Sequence, residues 1–166
     1  MALPILLIGK TVGDVFYKRL SEQVDKKRFA EAKLLYMQAT GLLVLLGVIP
    51  LIIVLLWAPA LFAFVFGDNW AKAGTYAQWL SVWTFFILIN APSLKMIIVL
   101  KKQKISLLIN AISTPLRVLA LLLGGMYFKD EWLTLLLFVV VSILHNVVII
   151  LLAYFTCSNK VLALKG

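Results

Sequence analysis

A chain of 166 residues that is 63% hydrophobic, with a mean hydropathy of +1.04, is too apolar for a water-soluble domain, which is usually about half apolar. Its formal net charge of +9 does not point to nucleic acid, because the basic residues stand at the ends of apolar runs and not on one soluble face. A single cysteine, Cys157, excludes an internal disulfide, and one cysteine with one histidine argues against a zinc site, so no metal or other cofactor is expected.

The first stretch, 3–20, reads as a partial transmembrane helix. Met1 to Ile8 is apolar, but no basic region precedes it and no small-residue cleavage site follows, which is unlike a secretory signal. Polar groups arrive at Lys10 and Asp14, before the roughly twenty apolar residues that a span requires. The stretch is therefore expected to be the second half of a span, and the chain a fragment or a truncated reading frame. Gly9 and Gly13 share a face at a spacing that lets helices approach closely. Lys10 and Asp14, four apart, form either a buried pair or a cavity-lining one. Residues 21–38 interleave charged Glu22, Asp25, Lys26, Lys27, Arg28, Glu31 and Lys33 with apolar Val24, Phe29, Leu34 and Leu35. They predict a basic helix lying on the cytoplasmic membrane surface, or else a solvated linker helix.

Residues 41–66 are apolar for a full span, and Pro50 and Pro59 predict a kink or local unwinding there. A short turn at 67–72 leads into the span 73–100, with Tyr76, Trp79 and Trp83 near the headgroup boundary and an interruption at Asn90-Ala91-Pro92-Ser93. A basic turn at 101–104 precedes the span 105–127, which ends at Gly124-Gly125. A loop holding Lys129, Asp130 and Glu131 precedes the last span, 133–156, and the tail carries Lys160 and Lys165. The expected fold is an all-α integral membrane protein: one transmembrane region over 1–166, with about four full helices, a partial N-terminal one and a basic surface helix.

Charge assigns the two sides. One set of connections holds Lys18, Arg19, Lys26, Lys27, Arg28, Lys33, Lys101, Lys102, Lys104, Lys160 and Lys165, whereas the other holds only Lys72 and Lys129 beside Asp68, Asp130 and Glu131. The excess of Lys and Arg marks the first set, and the C-terminus with it, as cytoplasmic.

Charge inside a span is costly and normally faces a cavity or a partner. Arg117 stands roughly 20 Å along its helix from Lys104 and about 15 Å from Tyr127, too far to snorkel to either surface. It is a candidate for a fixed cation lining a polar cavity, suited to a phosphate or sugar-diphosphate; the alternative is a structural Arg bonded to carbonyls freed at Pro115. Asn110, Thr114 and Arg117 fall at i, i+4 and i+7, with Ser113 beside them. Asn90, Ser93 and Lys95 cluster around Pro92 and are candidate cavity-lining groups, although Lys95 is also within reach of the cytoplasmic headgroups. His145 and Asn146 read as interhelical hydrogen-bond partners before they read as a proton relay. No phosphate loop, nucleophile elbow, metalloprotease motif or paired carboxylates are present, so the chain is not expected to be an enzyme.

The order Pro4…Gly9…Val12-Gly13-Asp14-Val15-Phe16-Tyr17…Leu20-Ser21, a basic helix, Pro50…Ala58-Pro59 and Phe66-Gly67-Asp68-Asn69-Trp70…Ala73-Gly74…Tyr76, then Ala91-Pro92 and Lys101-Lys102-Gln103, carries a resemblance. It resembles the C-terminal part of bacterial polysaccharide-export flippases of the multidrug/oligosaccharidyl-lipid/polysaccharide exporter superfamily. The likeness spans nearly the whole chain and is most specific from Phe66 to Leu80. It implies twelve or more helices in two lobes around a central cationic cavity. It also implies alternating access that carries undecaprenyl-diphosphate-linked glycan, a unit of O-antigen, capsule or exopolysaccharide, across the bacterial inner membrane. On that mapping the partners are the glycan lipid, the membrane lipid and a missing N-terminal lobe. Alternating access rocks one repeat against another, so this chain alone is not expected to transport. Three rivals differ in what they require. A cation-coupled small-molecule exporter favours acids inside the spans, and a membrane-anchoring subunit of a polysaccharide synthase complex leaves Arg117 replaceable. A membrane glycosyltransferase needs a large catalytic loop.

Overall fold

The computed structural model describes residues 3–162, with side chains from residue 14 onward. Five long helices follow one another: α1 (Leu3–Asp25), α2 (Phe29–Phe66), α3 (Ala71–Val99), α4 (Gln103–Leu122) and α5 (Glu131–Leu162). A 3-10 turn, Asp68–Trp70, joins α2 to α3, and a π-helical turn, Leu123–Phe128, prolongs α4. Four of the resulting segments are long and apolar enough to cross a membrane, and α2 to α5 carry broad apolar surface (Leu45, Leu56, Leu107 and Leu116 are exposed), as contact with hydrocarbon requires. The chain is an all-α integral membrane protein.

Two helix boundaries differ from expectation. The stretch 21–38 is divided: its first residues finish α1, and its remainder opens α2 after a reversal at Lys26–Arg28. Lys27 adopts φ 59°, its N–H bonds to Val24 O at 3.0 Å and the Arg28 N–H bonds to Gln23 O at 2.8 Å, a left-handed helix stop. The cause is tertiary: Leu20 before the stop and Ala32 and Tyr36 after it all enter one core, which a straight helix cannot do. At 1.5 Å per residue α2 is roughly 57 Å long against about 30 Å of hydrocarbon, so residues 29–38 form the protruding end of a span and not a separate surface helix. The same lysine stop recurs after α3, where Lys101 has φ 56° and the Lys102 N–H bonds to Ile97 O at 2.9 Å.

The prolines do not interrupt their helices. Pro50 and Pro59 lie inside α2 and Pro92 inside an unbroken α3, so neither local unwinding nor the break at Asn90–Ser93 is present. Each proline frees only the carbonyl four residues earlier, and a neighbour can satisfy it. Gln78 of α3 does this for Pro59, donating from Nε2 to Leu55 O at 2.7 Å. One turn away Gly74 meets the same place: a Cβ on it would lie 2.5 Å from Pro59 Cα, so the α2 and α3 backbones touch where only glycine fits.

In the bundle α3 packs between α2 and α5, α4 rests on the far side of α5, and α1 leans on α2 and α3. The buried core gathers at one end, around Leu20, Tyr36, Met96, Ile97, Ile149 and Cys157. This end also carries Lys26, Lys27, Arg28, Lys101 and Lys102. At the opposite end α3 and α4 part over α5 and leave a cavity of about 590 Å³ lined by Tyr76, Leu80, Leu121, Gly125, Leu135 and Phe138 among others.

Candidate functional site

Two polar clusters lie at span depth, on opposite sides of α5. The first joins α2, α3 and α5. Asn90 donates from Nδ2 to Asn146 Oδ1 at 2.8 Å, and Asn146 donates in turn to Ser142 O at 2.8 Å. Ser93 Oγ lies 3.0 Å from Tyr36 Oη, which also reaches Ile150 O at 3.4 Å. Asn90, Ser93, Tyr36 and Asn146 are all buried. Their helix positions explain this: Asn90 and Ser93 share the α3 face of buried Ile89, Met96 and Ile97, which meets α2 and α5. The first cluster is a set of interhelical hydrogen bonds in a buried core, with Asn90 Oδ1 and Ser142 Oγ left without a partner among the described residues.

The second cluster joins α4 and α5. Ser113 Oγ donates to Ile109 O at 2.7 Å and lies 2.7 Å from His145 Nδ1. Arg117 stands one turn further along α4, half-buried, its Nε buried and without a hydrogen-bond partner among the described residues. No hydrogen bond from Arg117 to the Ala111 carbonyl freed by Pro115 is formed, so the structural role considered for it finds no support here.

The predicted stripe of Asn110, Thr114 and Arg117 is split by the packing. Ser113, Ala120 and Gly124 are buried along the α5 seam, whereas Asn110 and Thr114 are exposed on the far face, Asn110 turning its amide back to Ser106 O at 3.0 Å. Arg117 falls on the border, with its Nε in the seam. Lys95 lies elsewhere, half-buried at the opposite edge of the bundle, its Nζ 5.6 Å from the Tyr17 ring centroid of α1. Asp14 is exposed on α1, and the Lys10 side chain lies outside the described residues. Of the eight sequence candidates, the structure thus places Asn90 and Ser93 on one buried face of α3, in two separate sets of hydrogen bonds, and leaves Arg117 with the nearby Asn110 and Thr114 on α4. Lys95 and Asp14 belong to neither group.

Several groups escaped sequence reasoning. Tyr36 sits in a stretch dense with charge and signals its burial only through its spacing from Ala32. Gln78 had a faint signal, an acceptor freed at Pro59 that needed a donor. At the end away from the buried core Glu131 Oε2 takes bonds of 2.7 Å from both Lys72 Nζ and Tyr76 Oη, and Trp132 packs edge-on against Trp79. These contacts tie α3 to α5 beside the 590 Å³ cavity, whose lining includes none of the eight candidates. Among the described residues no group of His, Cys, Asp and Glu stands ready to hold a metal ion.

The arrangement places a cation, Arg117, within a span, one turn along α4 from the Ser113–His145 contact. No curated protein and no solved structure matches the chain. The MatE family profile matches residues 18–123, about two thirds of the chain's length, from the end of α1 through α4 to the start of the π-helical turn. Proteins of this kind are transporters and not enzymes. On a match of that extent, the chain belongs to the MatE family of multi-pass membrane exporters.

Proposed function

We propose that the protein takes part in moving a lipid-linked oligosaccharide, an undecaprenyl-diphosphate-linked glycan, from the cytoplasmic to the outer leaflet of the bacterial inner membrane by alternating access. Arg117 is the group that holds the diphosphate, and Asn110 and Thr114, exposed beside it, meet the sugar or headgroup. The observation that carries the reading is the buried, unpartnered Nε of Arg117 at span depth. A guanidinium without an acceptor in hydrocarbon is strongly disfavoured, and a planar anion with paired oxygens is the acceptor it fits best. The charge of the spans supports an anionic cargo: the seven acidic residues are Asp14, Glu22, Asp25, Glu31, Asp68, Asp130 and Glu131, and none lies in the four full spans 41–66, 73–100, 105–127 and 133–156, which carry Lys95 and Arg117. A cation exporter coupled through membrane carboxylates has no such groups here. Alternating access needs a second unit to rock against, so α4 is placed facing it.

The test is export of surface polysaccharide in cells whose own copy of the gene carries Arg117→Ala. Export is expected to fall at least about tenfold, as for loss of a charge-assisted bond of about 1.5–3 kcal/mol, with the protein still present in the membrane. Normal polysaccharide in those cells removes Arg117 from the mechanism.

A further inference from the structure

We infer that His145 is a second ligand for the same anion, one that carries a proton into the site with it; the inference rests on the diphosphate reading of Arg117. The geometry around Ser113 fixes the ring. A serine hydroxyl has one proton, and at 2.7 Å from Ile109 O that proton points to the carbonyl, which can only accept. The 2.7 Å contact between Ser113 Oγ and His145 Nδ1 then requires Nδ1 to donate. The neutral ring is therefore the Nδ1–H tautomer, held in place by α4, with Nε2 presenting a lone pair and finding no hydrogen-bond partner among the described residues. Such a nitrogen repels an oxyanion until it takes up a proton, after which it donates to it.

The surroundings leave few other groups to share that proton. Arg117 stands one turn along α4 from Ser113, the residue that meets the ring, and is the charged side chain on that face of α4. On the other side of α5, α3 holds Asn90, bonded to Asn146, and α2 holds Tyr36, bonded to Ser93. No carboxylate faces the ring from these elements among the described residues. Two cations side by side are unfavourable, whereas two cations around a diphosphate are not, so anion and proton enter together. The balance is simple: one proton moves from water to Nε2 as the anion binds, no bond of the cargo changes, and the proton leaves when the anion does.

The experiment uses the full chain in lipid nanodiscs and inorganic pyrophosphate as the probe, comparing wild type, His145→Gln and Arg117→Ala by titration calorimetry at about pH 5.5 and about pH 7.5, either side of the ordinary histidine range. Because pyrophosphate itself titrates, the quantity read is the affinity ratio of wild type to His145→Gln at each pH. That ratio is expected to be about tenfold at the lower pH and to fall toward one at the higher. A ratio that does not change with pH overturns the role of His145 while Arg117→Ala still reports on the site. Equal binding, or none, by wild type and Arg117→Ala overturns the diphosphate reading itself. Should His145→Gln not fold, the wild type suffices: the chain has one histidine, so its imidazole nitrogen NMR signals are those of His145. They are expected to change from the neutral to the charged pattern when pyrophosphate is added near pH 6.5. A ring that stays neutral with the anion bound refutes the inference.

Discussion

Asn90 and Asn146 show how polar residues at span depth can tie two helices together. Their side chains bond at 2.8 Å and both are buried, so removing either leaves a buried polar atom of the other without that partner. Asn146→Ala is expected to destabilise the protein by about 1 kcal/mol, the range found for hydrogen bonds between membrane helices, and Asn90→Ala by a similar amount. The double variant is expected to lose less than the sum, because the second removal takes away an orphan. Reversible unfolding in mixed micelles measures all three, and strict additivity would mean that the bond contributes nothing. At this scale sequence reasoning identified the polar residues but not their company. Asn90, Ser93 and Arg117 carry the same signal, a polar group in an apolar run, and only the packing of α3 between α2 and α5 separates the first two from the third.

Between residues and the whole lies the string from Phe66 to Leu80, the most specific part of the resemblance, and its work is to fold α2 onto α3. Gly67, at φ 96°, stops α2; Trp70 stacks back on Phe66 at 5.6 Å; Gly74 admits the Ala58–Pro59 backbone; Tyr76 reaches Glu131; Gln78 covers the carbonyl that Pro59 frees. Gly74→Ala forces a methyl to 2.5 Å from Pro59 Cα and is expected to destabilise by at least about 2 kcal/mol, the scale of overpacking against backbone that cannot yield. Gly125→Ala, in the outer turn, meets nothing within 4 Å and is expected to stay within about 0.5 kcal/mol of wild type. The same unfolding measurement compares them, and equal effects would mean that α2 and α3 are not in backbone contact. The number and order of the four full spans were legible because an apolar run of spanning length has few alternatives in lipid. The proline positions misled for a related reason: a missing N–H looks like a break in one dimension, whereas the donor that repairs it, Gln78 for Pro59, stands on another helix.

For the whole molecule the decisive quantity is the asymmetry of charge between the two ends of the bundle, and it agrees with the packing. The end that gathers Lys26, Lys27, Arg28, Lys101 and Lys102 is also the end with the buried core, where Lys33 bonds Ser158 at 3.2 Å and lies over the Tyr154 ring at 4.5 Å. The other end opens around the cavity beside Tyr76 and Phe138. If lysines and arginines set the orientation, the tight end is cytoplasmic and the open end faces outward. The chain offers a clean way to check this, because its one cysteine, Cys157, is fully buried and so silent to a membrane-impermeant maleimide. Asn69→Cys places an exposed thiol in the turn between α2 and α3, and Gln103→Cys places one between α3 and α4 without removing any of the lysines that set the orientation. In intact cells from which any outer membrane has been stripped, Asn69→Cys is expected to label at once and Gln103→Cys only after permeabilisation. Labelling in the opposite order would invert the topology, put the cavity on the cytoplasmic side and reverse the direction in which Arg117 is approached.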